Sequence, residues 1–189
     1  LGLCLLVSVN SLLAQTMVAA PTVKIPALDK SPMDMAYFPA NFPVLKIQDK
    51  VSIPLAARVI YSRPQKNGRP VFGELVEYGK VWRLGANEAT EIEFFKDVTI
   101  GNKKVLKGKY TVYALVNPAD WTFILNKETD VWGAFKYDEK KDVVRLTVPV
   151  QKVVEPAEAF SILLDKSAIG MDLIVAWDDV KVALPVSLK

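Results

Sequence analysis

The stretch Tyr110-Thr111-Val112-Tyr113-Ala114-Leu115-Val116-Asn117-Pro118-Ala119-Asp120-Trp121-Thr122-Phe123-Ile124-Leu125 decides the fold. Successive side chains of an extended chain point to opposite faces, so a buried face shows a period of two. Tyr110, Val112, Ala114 and Val116 then share one face, and Thr111, Tyr113 and Leu115 share the other. Asn117-Pro118-Ala119-Asp120 breaks the run with residues that favour a turn, because proline presets φ and Asn and Asp bond their own backbone. Beyond it Trp121, Phe123 and Leu125 alternate with Thr122 and Ile124. Aromatic and β-branched residues on a two-residue period, cut by a turn, read as strands.

The same period extends in both directions. Ile92 and Phe94 alternate with Glu91 and Glu93. Val98 and Ile100 lead into Gly101-Asn102, and Val105 and Leu106 follow, which is a hairpin signal because a two-residue turn favours glycine and asparagine. Lys107-Gly108-Lys109 reads as another turn. Downstream, Val144, Leu146, Val148 and Val150 alternate with Arg145 and Thr147. Phe160, Ile162 and Leu164 form a further strand, and so do Met171, Leu173, Val175 and Trp177. Asp178-Asp179 reads as a hairpin turn before Val180, Val182, Leu184 and Val186, and a short turn is placed near Pro156 to Ala159. No long stretch has helical periodicity and no internal repeat is visible. About eight to ten short strands at this spacing predict an all-β fold, a single antiparallel β-sandwich or jelly-roll-like barrel. It is expected to span residues 51–189.

Two segments precede that domain. Residues 1–14 carry no charge, and Leu3, Leu5, Leu6, Val7, Val9, Leu12 and Leu13 make an apolar run that ends at Ala14. This reads as the apolar part of a secretory signal peptide lacking its basic start, with cleavage after Ala14, or alternatively after Ala20. The mature protein is then expected to be exported, periplasmic or secreted, with no transmembrane segment. Residues 15–50 contain Pro21, Pro26, Pro32, Pro39 and Pro43, a density that breaks helices and central strands. They read as an extended proline-rich arm whose Met33, Met35, Tyr37, Phe38 and Phe42 pack on the domain.

Composition narrows the chemistry. The chain has 189 residues, enough for one domain with a substantial core. It contains no histidine, which removes Ser-His-Asp catalysis, His-ligated metals and histidine pH switching. Its one cysteine, Cys4, falls in the signal region, so no disulfide, cysteine nucleophile or thiolate metal site is expected in the mature chain. A net charge of +3, spread along the chain, gives no basic patch and no nucleic-acid partner is expected. No cofactor and no metal is expected either. Asp138, Glu139 and Asp142 offer oxygen ligands that suit calcium, but Lys140 and Lys141 interrupt them.

A series of strings resembles a known family. Tyr61-Ser62-Arg63-Pro64, Gly68-Arg69, Val71-Phe72-Gly73 and Tyr78-Gly79-Lys80-Val81-Trp82-Arg83 lead into Gly85-Ala86-Asn87-Glu88-Ala89-Thr90. Asp97-Val98, Lys107-Gly108-Lys109-Tyr110, Trp121, Leu125-Asn126, Trp132-Gly133, Tyr137 and Asp142 complete it. Together they resemble the domain of unknown function 2911 family, over Ser31 to Val150 well and over the C-terminal strands loosely. Glu77 departs from the proline common there. The resemblance implies export and a β-rich fold and implies no activity.

The segment Tyr78 to Thr90 carries the candidate site. Arg83 has a planar fork that grips a carboxylate or phosphate, Asn87 can donate and accept, and the glycines allow close backbone approach. Trp82 would form an apolar wall. Trp82, Arg83, Asn87 and Glu88 are the leading ligand contacts, with Lys80 and Arg63 behind them. Arg63 and Arg69 could add anion contacts if their loop converges on Arg83. An internal Arg83–Glu88 ion pair that pins the loop is the structural alternative. Trp121 and Trp132 could form a sugar-stacking platform, or pack in the core. The expected function is binding of a polar or anionic small ligand such as carbohydrate. A carboxylate-based hydrolase using Glu88 and a structural or envelope interaction protein are the alternatives.

Overall fold

The computed structural model describes residues 22–189. The signal-peptide reading, its cleavage positions and Cys4 therefore lie outside the described residues. The described chain is two antiparallel sheets packed face to face, as the alternation predicted.

The larger sheet begins with β1 (Met33–Phe38), which pairs with β2 (Ala57–Ser62). Then follow β4 (Glu91–Phe94), β7 (Gly108–Val116), β8 (Asp120–Asn126) and β9 (Asp142–Pro149), while β3 (Val81–Trp82) pairs with β7 from the side. The smaller sheet runs β10 (Gln151–Lys166), β11 (Gly170–Ser187), β5 (Val98–Ile100) and β6 (Lys103–Val105). The Gly101-Asn102 hairpin forms as expected, with Ile100 opposite Lys103. Asn117 to Asp120 closes the β7–β8 hairpin through Asn117 N–H donating to the Asp120 carbonyl at 3.0 Å.

The face predicted from the opening stretch is the core. Tyr110, Val112, Ala114, Val116, Trp121, Phe123 and Leu125 are buried in one cluster with Phe160, Ile162 and Leu164 of β10 and Met171, Leu173 and Val175 of β11. Its centre is aromatic. Trp82 stacks on Trp177 with centroids 6.0 Å apart, and Trp121 and Phe160 meet Trp82 edge-on at 5.8 and 5.3 Å.

Three local readings change. Asp178-Asp179 is not a hairpin turn but a bulge inside β11, where Asp178 takes φ 51. The inserted residue moves the buried positions from Trp177 to Val180. A bulge and a turn both flip the alternation, so the pattern alone does not separate them. Pro156 to Ala159 lies within β10, and β10 is an edge strand, where a missing N–H breaks no ladder. In the arm, Met33–Phe38 is an edge strand of the larger sheet, and Phe42–Ile47 forms one short helix, α1, with Pro43 in the first turn, where the N–H is spare.

The outer face of the larger sheet is covered as well. Tyr113 and Ile124 are cross-strand partners on that face, and with Ala89 they pack under Val131, Ala134 and Tyr137. The segment between β8 and β9 therefore lies over the sheet beside β3.

Candidate functional site

The loop from Arg83 to Thr90 is locked by bonds to its own backbone rather than by an ion pair. Thr90 N–H donates to the Arg83 carbonyl at 3.1 Å, and the Thr90 hydroxyl donates to the Leu84 carbonyl. Trp82 Nε1 donates to the Gly85 carbonyl at 3.0 Å. The Ser62 hydroxyl both accepts from Ala86 N–H at 2.7 Å and donates to its carbonyl at 2.5 Å. Gly85 is required here, because a Cβ on it would stand 2.9 Å from Ser62 Oγ, and its φ of 146 is one that side chains rarely adopt.

Arg83 and Glu88 do not meet. Among the described residues the Arg83 side chain makes no ion pair and no hydrogen bond, and its Nε is buried without a partner. Burial alone pushes its guanidinium below the ordinary arginine value, although it stays charged at neutral pH. Two clefts open on either side of it, both bordered by Leu75, Val76 and Trp82. One, of about 290 Å³, adds Glu77, Lys80 and Phe135. The other, of about 230 Å³, adds Arg69, Ser31 and Gly85, and no carboxylate lines it. Arg69 is held by its own turn, donating to the Lys66 and Gln65 carbonyls at 2.8 and 2.7 Å.

The other candidates divide. Trp82 contributes an edge to both clefts, but its ring belongs to the core and is 8% exposed. Lys80 borders the first cleft and pairs with Glu77 at 2.5 Å. Arg63 does not join Arg83. Its fork bonds Asp34 at 3.0 Å, Ser161 Oγ at 2.9 Å and the Phe160 carbonyl at 3.2 Å, and so it clasps β1 to β10 across the two sheets. Asn87, at φ 56, presents its carbonyl to Gly133 N–H at 3.0 Å. Glu88 is exposed and pairs through its backbone with Trp132, beside a shallow depression shared with Glu91 and Asp130. Both residues thus hold the β8–β9 segment rather than line the Arg83 clefts.

That segment carries surface the sequence reading did not join to the site. Trp121 is buried, whereas Trp132 is 61% exposed and Phe135 is 84% exposed. The two form no platform with Trp121. Instead Trp132, Phe135, Tyr113, Val131, Gly133, Asp130 and Lys136 line a cleft of about 420 Å³. Asp142 of the charged turn is already engaged by Asn126, Tyr137 and Arg145. Asp138 caps the short 3-10 turn that follows it through Lys140 N–H.

The family model for proteins of unknown function designated DUF2911 matches residues 45–186. The chain belongs to that family. The match takes in the C-terminal strands β10 and β11, which the sequence strings resembled only loosely, along with Arg83, Trp132 and Phe135. No curated protein and no solved structure matches the chain. Among the described residues no helix is long and apolar enough to cross a membrane.

Proposed function

We propose that this protein is a non-enzymatic, exported domain that binds a small polar ligand through an anionic group at Arg83. One observation carries the reading. Arg83 is a half-buried cation that no carboxylate and no carbonyl satisfies, at the junction of two clefts. Buried charges are ordinarily paired, because an unpaired one forfeits its hydration. A planar guanidinium whose donors are unused is suited to a carboxylate, phosphate or sulfate. Arg69 in one cleft and Lys80 in the other add positive charge on either side. Export is supported by the uncharged apolar run Leu1 to Ala14 ending in a small residue.

The test is thermal unfolding of the wild type and of Arg83→Met against increasing sulfate, phosphate or acetate, at constant ionic strength. A ligand that binds only the folded state raises the melting temperature with concentration. The reading expects at least one anion to do so in the wild type and to lose the effect in Arg83→Met. Equal shifts in both proteins, or none in either, would remove Arg83 as the site.

A further inference from the structure

The Arg83 cleft and the Trp132 cleft share one wall. Phe135 borders both, and Ala134 beside it lines the Arg83 side. The Phe135 ring is 84% exposed on its outer side. It lies on the backbone of Gly133, where an added Cβ would come within 2.6 Å of it. Gly133 is itself fixed by its N–H bond to Asn87, and Trp132 by its bridge to Glu88. Two exposed aromatic rings are therefore positioned by the same loop that presents Arg83.

Among the residues that line the two clefts the unpaired charge is one-sided, while the free carboxylate of Glu88 lies outside both. Arg83 and Lys136 have no acidic partner among the described residues. Asp130, on the rim of the Trp132 cleft, is held by Lys109 at 2.7 Å, and Glu77 by Lys80. Tyr113, 2% exposed, closes the inner side of the slot. An aromatic face offers an apolar surface to the C–H side of a sugar ring, and the polar rim suits its hydroxyls. Two small clefts either side of a single ring suit compact units joined end to end. A bound helix or strand would call for a continuous groove.

We propose that Trp132, Phe135 and Arg83 form one two-cleft surface for an acidic oligosaccharide, with a sugar ring in the Trp132 slot and the carboxylate of a neighbouring uronate at Arg83. This rests on the anion reading of Arg83 and extends it to a ligand class. Lys136 supplies a second positive contact on the sugar side of Phe135.

The experiment is calorimetric titration of the full chain with three probes: a galacturonate tetrasaccharide, a neutral hexose tetrasaccharide of equal length, and acetate. Wild type, Trp132→Ala, Phe135→Ala and Arg83→Met are compared. Trp132 and Phe135 are exposed, so their removal leaves the core intact. The acidic tetrasaccharide should bind at least tenfold tighter than either other probe, and each substitution should weaken it at least tenfold. If acetate binds through Arg83 but the tetrasaccharide gains nothing and Trp132→Ala changes nothing, the extension falls and the anion reading stands. If both tetrasaccharides bind equally, the uronate assignment falls. If no probe binds, both readings fall together. Self-association in sedimentation that disappears in Trp132→Ala, with no saccharide binding, would make this face a contact between copies and overturn the proposal.

Discussion

Gly133 N–H donates to the Asn87 carbonyl at 3.0 Å, and that bond joins the loop carrying Arg83 to the loop carrying Trp132. Ala89 N–H, donating to the Val131 carbonyl at 3.0 Å, repeats the connection two residues along. The motif that stands out in the sequence is thus the inner half of a two-loop assembly. Its residues divide between the half-buried charge of Arg83, buried packing and backbone support for the second loop.

Arg83→Met should leave the protein as stable as the wild type or raise its unfolding free energy by about 0.5–2 kcal/mol, the usual gain when a residue kept for function is removed. An internal ion pair predicts the opposite, a loss of roughly 3–5 kcal/mol. Glu88→Ala should stay within about 0.5 kcal/mol of wild type, since Glu88 is exposed and its side chain makes no bond among the described residues. One urea series on the three proteins decides between a clasp and a site.

The loop itself should be sensitive where Arg83 is not. Gly85→Ala places a Cβ 2.9 Å from Ser62 Oγ at φ 146, and the backbone strain alone costs about 1–3 kcal/mol. Ser62→Ala removes both bonds to Ala86 from a fully buried position, for a loss of about 1–3 kcal/mol. The two changes act on one contact, so the double variant should lose less than the sum. A urea double-mutant cycle measures that coupling.

Much of the fold was legible because a buried face must repeat every second residue. Tyr110 to Leu125 shows this on both faces, and the structure buries the inner face and, at Thr111, Tyr113 and Ile124, much of the outer one. The bulge at Asp178 was not legible, because it flips the alternation as a turn would. Nor was the β1 edge strand, since Met33 to Phe38 sits among prolines and only β2 reveals its pairing. Arg83 stood out in the sequence by its chemistry, and the structure leaves its side chain unpaired among the described residues. Its separation from Arg63 was not legible, because Arg63 is drawn to Asp34 and Ser161 by tertiary contacts. The Phe135 contribution depends on Gly133 and on Tyr113 from another strand, which no local pattern links.

The tryptophans should separate cleanly by solvent access. Trp82, Trp121 and Trp177 are buried and Trp132 is 61% exposed. Iodide should therefore quench one red-shifted component of the wild-type fluorescence and leave the rest. Trp132→Phe should abolish that component without moving the melting temperature measurably. A quenchable fraction that survives Trp132→Phe would mean that the aromatic centre opens in solution.

Alkali should destabilise the protein through its tyrosines. Burial is the leading cause that raises Tyr61, Tyr110, Tyr113 and Tyr137 above the ordinary phenol value of 10.0. For Tyr137 the bond from its hydroxyl to Asp142 at 2.6 Å adds to the effect, and the positive charge of Arg145 opposes it. The unfolded chain releases these protons first, so the stability they contribute is complete below about pH 10 and is lost as pH rises through the folded values. The urea midpoint should be flat from about pH 8 to about pH 9.5 and fall beyond about pH 10. Phenolate absorbance should show a late phase that appears together with unfolding. Tyr137→Phe should lower the unfolding free energy at neutral pH by about 1 kcal/mol for the lost bond, and make the alkaline fall of the midpoint shallower. A midpoint that stays flat through the late phenolate phase would mean that those tyrosines ionise inside an intact fold.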